Sequence, residues 1–110
     1  MTDKRKPSYS LKEVNQAALE DRCQLTIGAR QNAHEIGFSE TEVTDVISKL
    51  GPTDFYKSTP SYYNPSVWQD VYKVFARGIP VYIKFKGDPS GSKYWGNSFK
   101  RDTASQEAKS

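Results

Sequence analysis

The sequence predicts an α+β fold in which N-terminal helices pack on a C-terminal antiparallel β-sheet. Before Pro52, apolar residues recur at the spacing of amphipathic helices and follow capping residues. After Pro52, short segments rich in β-branched and aromatic residues are separated by Pro, Asn and Gly. Short strands joined by short connections favour antiparallel pairing, and helices that come before such a sheet cover one of its faces.

Three helices are predicted in the N-terminal half. The first follows a capping-box pattern at Ser10–Glu13, and the third follows the same pattern at Ser39–Glu42 and ends at a Gly-Pro pair. The second is short, with an apolar stripe that runs from Ile27 to Ile36 and a glycine directly after it. Residues 22–26, between the first two helices, are expected to be extended or looped.

Four strands are predicted, in the segments TDFYKS, SVWQDVYKVF, PVYIKFK and KYWGNSFK. In the third, alternation separates a core-facing set from a solvent-facing set, Val81, Ile83 and Phe85 against Tyr82, Lys84 and Lys86. In the second strand, alternation alone leaves open whether the side of Trp68 or the side of Gln69 faces the core.

The 110 residues fit one domain, with an ordered core at about 8–101 and polar tails at 1–7 and 102–110. No apolar run approaches the roughly 20 residues that span a bilayer, and the N-terminus lacks the apolar segment of a signal peptide. Cys23 is the only cysteine and therefore excludes an internal disulfide, and one Cys with one His excludes a structural zinc site. We expect a cytoplasmic protein without membrane association or metal.

Positive charge and aromatic rings share the C-terminal half. Residues 1–50 contain 7 Lys and Arg against 8 Asp and Glu, whereas residues 51–110 contain 9 against 5 and hold 12 of the 14 aromatic residues. A basic surface interleaved with rings favours a nucleic acid over a membrane as the partner. The absence of a Gly-rich loop before a helix disfavours nucleotide-cradling enzymes.

One group of polar side chains in this half suits cleavage of RNA: Lys57, Gln69, Tyr82, Lys84, Lys86, Lys93 and Lys100. In that reaction the ribose 2′-hydroxyl attacks the adjacent phosphorus, and the 5′-oxygen of the next nucleotide leaves. Lysine ammonium groups stabilise the extra charge on the phosphoryl oxygens, and a tyrosine or lysine with a lowered pKa can exchange protons. We expect neighbouring lysines to lower the pKa of the tyrosine. The alternative is that the lysines only keep this face of the sheet soluble.

Four motifs carry a resemblance to a known family: DFYKS at 54–58, WQDVY at 68–72, VYIK at 81–84 and SFK at 98–100. In order and spacing they resemble the MqsR family of type II toxin–antitoxin toxins, and the likeness covers most of residues 10–101. The resemblance implies a RelE/YoeB-like fold and an mRNA interferase that cuts free mRNA at short sequences, commonly GCU, without metal, other cofactor or ribosome. It also implies a cognate antitoxin of the MqsA type that silences the toxin.

The resemblance assigns catalytic roles to four motif residues, Lys57, Gln69, Tyr82 and Lys100. Gln69 then shares the open face of the sheet with Tyr82, which places Trp68 and Tyr72 inside. The other candidate site residues, which would bind RNA by stacking or by charge, are Tyr56, Tyr62, Tyr63, Lys84 and Lys86.

Two features conflict with regular strands. Phe55 belongs to the core by its bulk, but it lies two positions before Lys57 and would share its face. Either Phe55 lies at the sheet edge or a β-bulge interrupts the alternation. Gly96 and Asn97 depart from the family pattern and are expected to weaken the last strand and displace Lys100. Two other functions stay open. The basic, aromatic half could belong to a non-catalytic RNA-binding module on the same scaffold, or its aromatic surface could only bind a protein partner.

Overall fold

The structure is a computed structural model that describes residues 3–88 and 90–103. These residues form an α+β fold with three α-helices, a short 3₁₀ turn and five strands. In chain order the elements are α1 (Leu11–Leu19), β1 (Cys23–Leu25), α2 (Ile27–Glu35), α3 (Glu40–Ser48), the 3₁₀ turn (Pro52–Asp54), β2 (Phe55–Pro60), β3 (Trp68–Ala76), β4 (Ile79–Gly87) and β5 (Tyr94–Arg101). The order of helices before the main sheet is the one predicted.

Each α-helix begins after a capping hydroxyl. Ser10, Thr26 and Ser39 each accept a hydrogen bond from the backbone N–H three residues further on, which confirms the predicted starts of α1 and α3. The stripe predicted for α2 was wrong at its first member, because Ile27 is 79 % exposed. At the start of the helix Ile27 points to solvent, whereas Ala33 belongs to the core and Ile36, directly after the helix, packs against it.

The sheet has the strand order β1-β5-β4-β3-β2. The four C-terminal strands pair antiparallel, as predicted, but β1 adds to the free edge of β5 in the parallel sense. The sheet is therefore mixed, and the expectation of a purely antiparallel sheet was wrong. The segment between α1 and α2 is extended, and it reaches the edge of β5, where Thr26 donates its N–H to the carbonyl of Gly96.

Gly96 allows this close approach. A Cβ atom at position 96 would lie 2.5 Å from Cδ2 of Leu25 in β1, closer than two carbon atoms pack. The glycine therefore takes part in the strand pairing and leaves room for the side chain of Leu25. Lys100 stays in register opposite Tyr82, so the displacement expected from the Gly96–Asn97 pair was wrong.

The helices cover one face of the sheet, and the core lies between. Tyr72, Ile83 and Phe99 are buried completely on this face, and the ring of Tyr72 stacks on Phe85 with centroids 5.6 Å apart. The side of β3 that carries Tyr72 also carries Trp68, which is half-buried. The inward orientation that the resemblance implied is confirmed for Tyr72, whereas Trp68 lies outside the core, with Nζ of Lys4 4.3 Å from its ring centroid. The opposite face of the sheet is left open.

An N-terminal segment of the chain is fastened to this sheet. The backbones of Lys4 and Ser58 pair with N···O distances of 2.8 and 2.9 Å. The completely buried carboxylate of Asp70 accepts the backbone N–H groups of Ser8 and Tyr9 at 3.0 Å. The described part of the predicted N-terminal tail is thus ordered along β2, because an edge strand offers unpaired backbone groups.

Replacing Asp70 with alanine is expected to lower the free energy of unfolding by about 3 kcal/mol, because two backbone donors lose a charged acceptor inside the protein. Urea denaturation of Asp70→Ala beside Asp45→Ala measures this. Asp45 is exposed, and in the part of the chain that the structure describes its carboxylate pairs with Lys49, the residue directly after α3. Its removal should change the free energy of unfolding by less than about 0.5 kcal/mol. Equal midpoints for the two variants would contradict the anchoring role of Asp70.

Candidate active site

The open face of the sheet gathers side chains from four strands. The strand register sets Val71 of β3 between Lys57 on β2 and Lys84 on β4. Two residues further along these strands, Tyr82 of β4 lies between Lys73 on β3 and Lys100 on β5. Directly opposed residues in a sheet have their Cβ atoms about 5 Å apart. Four lysines therefore lie around Tyr82 and form what we call the lysine cluster: Lys57, Lys73, Lys84 and Lys100.

A β-bulge between Phe55 and Lys57 solves the conflict noted in the sequence. Phe55 packs edge-on against the core residue Tyr72, with ring centroids 5.4 Å apart, while Lys57 lies on the open face. Tyr56 is the inserted residue, 46 % exposed. The ammonium group of Lys73 lies 4.0 Å from its ring centroid and that of Lys57 lies 5.4 Å away, so Tyr56 joins the lysine cluster.

Lys57 is held by the N-terminal segment. Its Nζ lies 2.9 Å from Oδ2 of Asp3. The hydrogen bond from Lys57 to Asp3 raises the pKa of Lys57 above its ordinary value, against a smaller opposing effect of burial. Lys57 therefore keeps its proton, and its chemical contribution is positive charge.

Tyr82 also keeps its proton. Burial raises the pKa of Tyr82, and this outweighs the positive charge of Lys57, which acts in the other direction. The expectation that neighbouring lysines would lower the pKa of this tyrosine was wrong. Burial removes water from the phenolate and raises the pKa by more than the positive charge of Lys57 lowers it. The Nζ of Lys100 lies 5.5 Å from the centroid of the Tyr82 ring.

Lys84 is the lysine of this face whose pKa is lowered. Burial is the main cause, and the positive charges of Lys100 and Lys57 add to it. A lysine in such surroundings gives up its proton more readily than one in water. Lys84 thus differs from Lys57, although both flank Val71.

A groove of about 590 Å³ continues the open face toward the β2–β3 loop. Its walls carry polar and aromatic side chains, among them Gln69, Lys84, Lys86, Asn97, Ser98, Tyr62 and Tyr63. The two tyrosines are 90 % and 92 % exposed and meet edge to face, with centroids 5.1 Å apart.

The predicted site residues fall into two adjoining sets. Lys57, Tyr82 and Lys100 lie with Tyr56 around the lysine cluster. The groove holds the other predicted residues, Gln69, Tyr62, Tyr63, Lys84 and Lys86. Within the described ranges, no cluster of three or more His, Cys, Asp or Glu side chains is positioned to bind a metal ion.

Sequence reasoning missed Lys73, Asn97 and Asp3. Lys73 could have been found, because it lies four positions after Gln69 and therefore on the same face of β3. Asn97 faces the groove only because of a second bulge, between Lys84 and Phe85 in the pairing with β5. The position of Asp3 depends on long-range pairing at the sheet edge, for which the sequence carries no local signal.

Comparison with known proteins identifies the family. The family model described as motility quorum-sensing regulator, toxin of MqsA, matches residues 6–101. The chain belongs to the MqsR toxin family. The mRNA interferase toxin MqsR of Escherichia coli (strain K12) is 34% identical over 82 residues, which cover 74% of this chain and 84% of the relative.

Membership of the MqsR family confirms the resemblance drawn from the four motifs, all of which lie inside the matched range. The likeness to the RelE/YoeB fold stays a prediction. In the part of the chain that the structure describes, no helix of this toxin is both long and apolar enough to cross a membrane.

Proposed function

We propose that this MqsR-family toxin is a sequence-specific, metal-independent endoribonuclease that cleaves mRNA without the ribosome. One observation carries the proposal: strand register brings Lys57, Tyr82 and Lys100 together on the open face, next to a basic, aromatic groove. A single strand of RNA laid along the groove would meet stacking rings and positive charges first and the lysine cluster next. The name of the E. coli relative, an mRNA interferase, supports this reading.

The reaction that fits these groups begins with the 2′-hydroxyl. This hydroxyl loses its proton to the amine of Lys84 in those molecules in which that lysine is neutral, a fraction that the lowered pKa of Lys84 increases. The 2′-oxygen then attacks the adjacent phosphorus, and the bond from phosphorus to the 5′-oxygen breaks. Lys57 and Lys100 neutralise the charge that builds up on the phosphoryl oxygens. Tyr82, whose raised pKa keeps its phenol protonated, donates that proton to the leaving 5′-oxygen.

The products of this route are a 2′,3′-cyclic phosphate and a 5′-hydroxyl. In this scheme Gln69 orients the RNA through its amide, since an amide has no proton of suitable pKa to exchange. The carboxylate of Asp3 occupies the position on Lys57 that a phosphate oxygen would take, so substrate binding displaces it. DNA lacks the attacking hydroxyl and should resist cleavage.

The proposed partner is a cognate antitoxin of the MqsA type, in the cytoplasm. The family description calls its members toxins of MqsA. A sequence pI near 9.0 suits a partner with an acidic surface.

The test is to incubate the purified toxin with a long mRNA, without ribosomes and with EDTA present. Discrete cuts that end in 2′,3′-cyclic phosphates are expected. RNA that stays intact but binds the protein in a salt-sensitive manner would indicate the alternative, a non-catalytic RNA-binding module. RNA that neither binds nor breaks would contradict both functions and favour a surface for a protein partner.

A further inference from the structure

Asn97 has an unusual position on β5. In the pairing of β4 with β5, Lys84 lies opposite Ser98 and Phe85 lies opposite Gly96, so Asn97 is an extra residue without a partner on β4. A bulge of this kind re-aims the inserted side chain and interrupts the alternation of faces. Both Asn97 and its neighbour Ser98 consequently line the groove of the open face.

The groove contains polar groups that bind nothing in the protein itself. Within residues 3–88 and 90–103, the side chains of Gln69, Lys86, Asn97 and Ser98 form no hydrogen bond or ion pair. Asn97 and Gln69 are both half-buried. Half-buried amides without internal partners are suited to hydrogen bonding with a ligand.

The size and the walls of the groove fit one unpaired nucleotide. A volume of about 590 Å³ lies within the range of sites that hold small organic ligands. Tyr62 and Tyr63 at its rim can stack on a base, and Lys86 can meet a phosphate. A nucleotide has a flat base with polar edges and an anionic phosphate, so it matches the tyrosines, the amides and the lysine of the groove together.

We propose that Asn97 reads the edge of one unpaired RNA base in this groove and thereby sets the sequence at which the toxin cuts. An asparagine amide presents a donor and an acceptor side by side, which can pair with a base edge that offers an acceptor beside a donor and fits less well to an edge with two acceptors or two donors. The neighbouring lysines donate only, so they distinguish bases less well. Gln69 has the same chemistry but belongs to the proposed catalytic set.

The distance to the reacting phosphate agrees with this role. Asn97 precedes Lys100 by three positions on β5, at most about 10 Å along the strand, because the bulge at Asn97 shortens the path. A base held at Asn97 thus belongs to a nucleotide beside the cleaved phosphate, and this inference rests on the proposed nuclease function.

The experiment maps cut sites in a pool of random-sequence RNA for the toxin and for Asn97→Asp, which keeps the shape but replaces a donor with an acceptor. At one position, fixed relative to the cut, the base preference is expected to change by about tenfold. Preferences at the other positions should stay as they are. Asn97→Ala should relax the preference at that same position.

The matched control is Asn32→Asp, in α2 on the helix-covered side of the sheet, which adds the same charge away from the groove. Thermal melting of each variant establishes that it is folded. If Asn97→Asp is not folded, Asn97→Ser takes its place in the experiment. An unchanged cut pattern, or a rate that falls equally at every sequence, would overturn the role of Asn97. No cutting by the unmodified toxin would instead overturn the nuclease function itself.

Discussion

Replacing Lys57 with alanine is expected to slow RNA cleavage by about 100- to 1,000-fold, the usual cost of removing one group that stabilises charge in a transition state. The reason lies in the protonation of Lys57. Its ion pair with Asp3 raises its pKa, so it carries a full positive charge at neutral pH, at the edge of the lysine cluster. Single-turnover cleavage of a defined RNA, with the toxin in excess over RNA, measures the effect on the chemical step.

Two comparisons separate a catalytic loss from a structural one. The Lys57–Asp3 pair is near the surface, so its removal should change the free energy of unfolding by less than about 1 kcal/mol. Lys12→Ala, on the exposed side of α1, removes the same charge from the other face of the sheet and should leave cleavage unchanged. Normal cleavage by a Lys57→Ala, Tyr82→Phe double variant would show that the chemistry happens elsewhere.

Alternation along single strands predicted much of this site. The sequence of β4 alone separates Val81, Ile83 and Phe85 from the residues of the open face, and these three residues are buried. The conflict between Phe55 and Lys57 also predicted a bulge as one of two solutions, and the bulge is there. Such features are local, because side chains in a strand change face at every residue unless an extra residue intervenes.

Features that depend on burial and on distant pairing could not be predicted in the same way. The lysines around Tyr82 suggested a lowered pKa, but the tyrosine is partly enclosed by the sheet, and burial reverses the direction. In the parallel pairing of β1 with β5, Gly96 leaves the room that the end of the Leu25 side chain occupies. From the sequence, the same glycine indicated only a weak strand.

Replacing Lys84 with arginine is expected to abolish most cleavage, by about 100- to 10,000-fold, while RNA still binds. Arginine keeps the positive charge but cannot lose a proton near neutral pH, whereas burial and two neighbouring lysines lower the pKa of Lys84. A proton acceptor must be neutral, so the cleavage rate of the unmodified toxin should rise with pH. Because the pKa is lowered, the rate should level off below 10.5, the ordinary value for lysine.

Lys86→Arg provides the matched control, since Lys86 lies two residues further along the same strand and lines the same groove. Arginine keeps the positive charge with which Lys86 can meet a phosphate, so Lys86→Arg should cleave at nearly the normal rate. Binding is measured with an oligonucleotide that carries a deoxyribose at the cleaved position, which prevents the reaction and keeps affinity apart from rate. If Lys84→Arg cleaves as fast as Lys86→Arg, Lys84 contributes charge only, and the 2′-hydroxyl must lose its proton to another group. If its cleavage alone is lost while both variants bind equally, proton transfer belongs to Lys84.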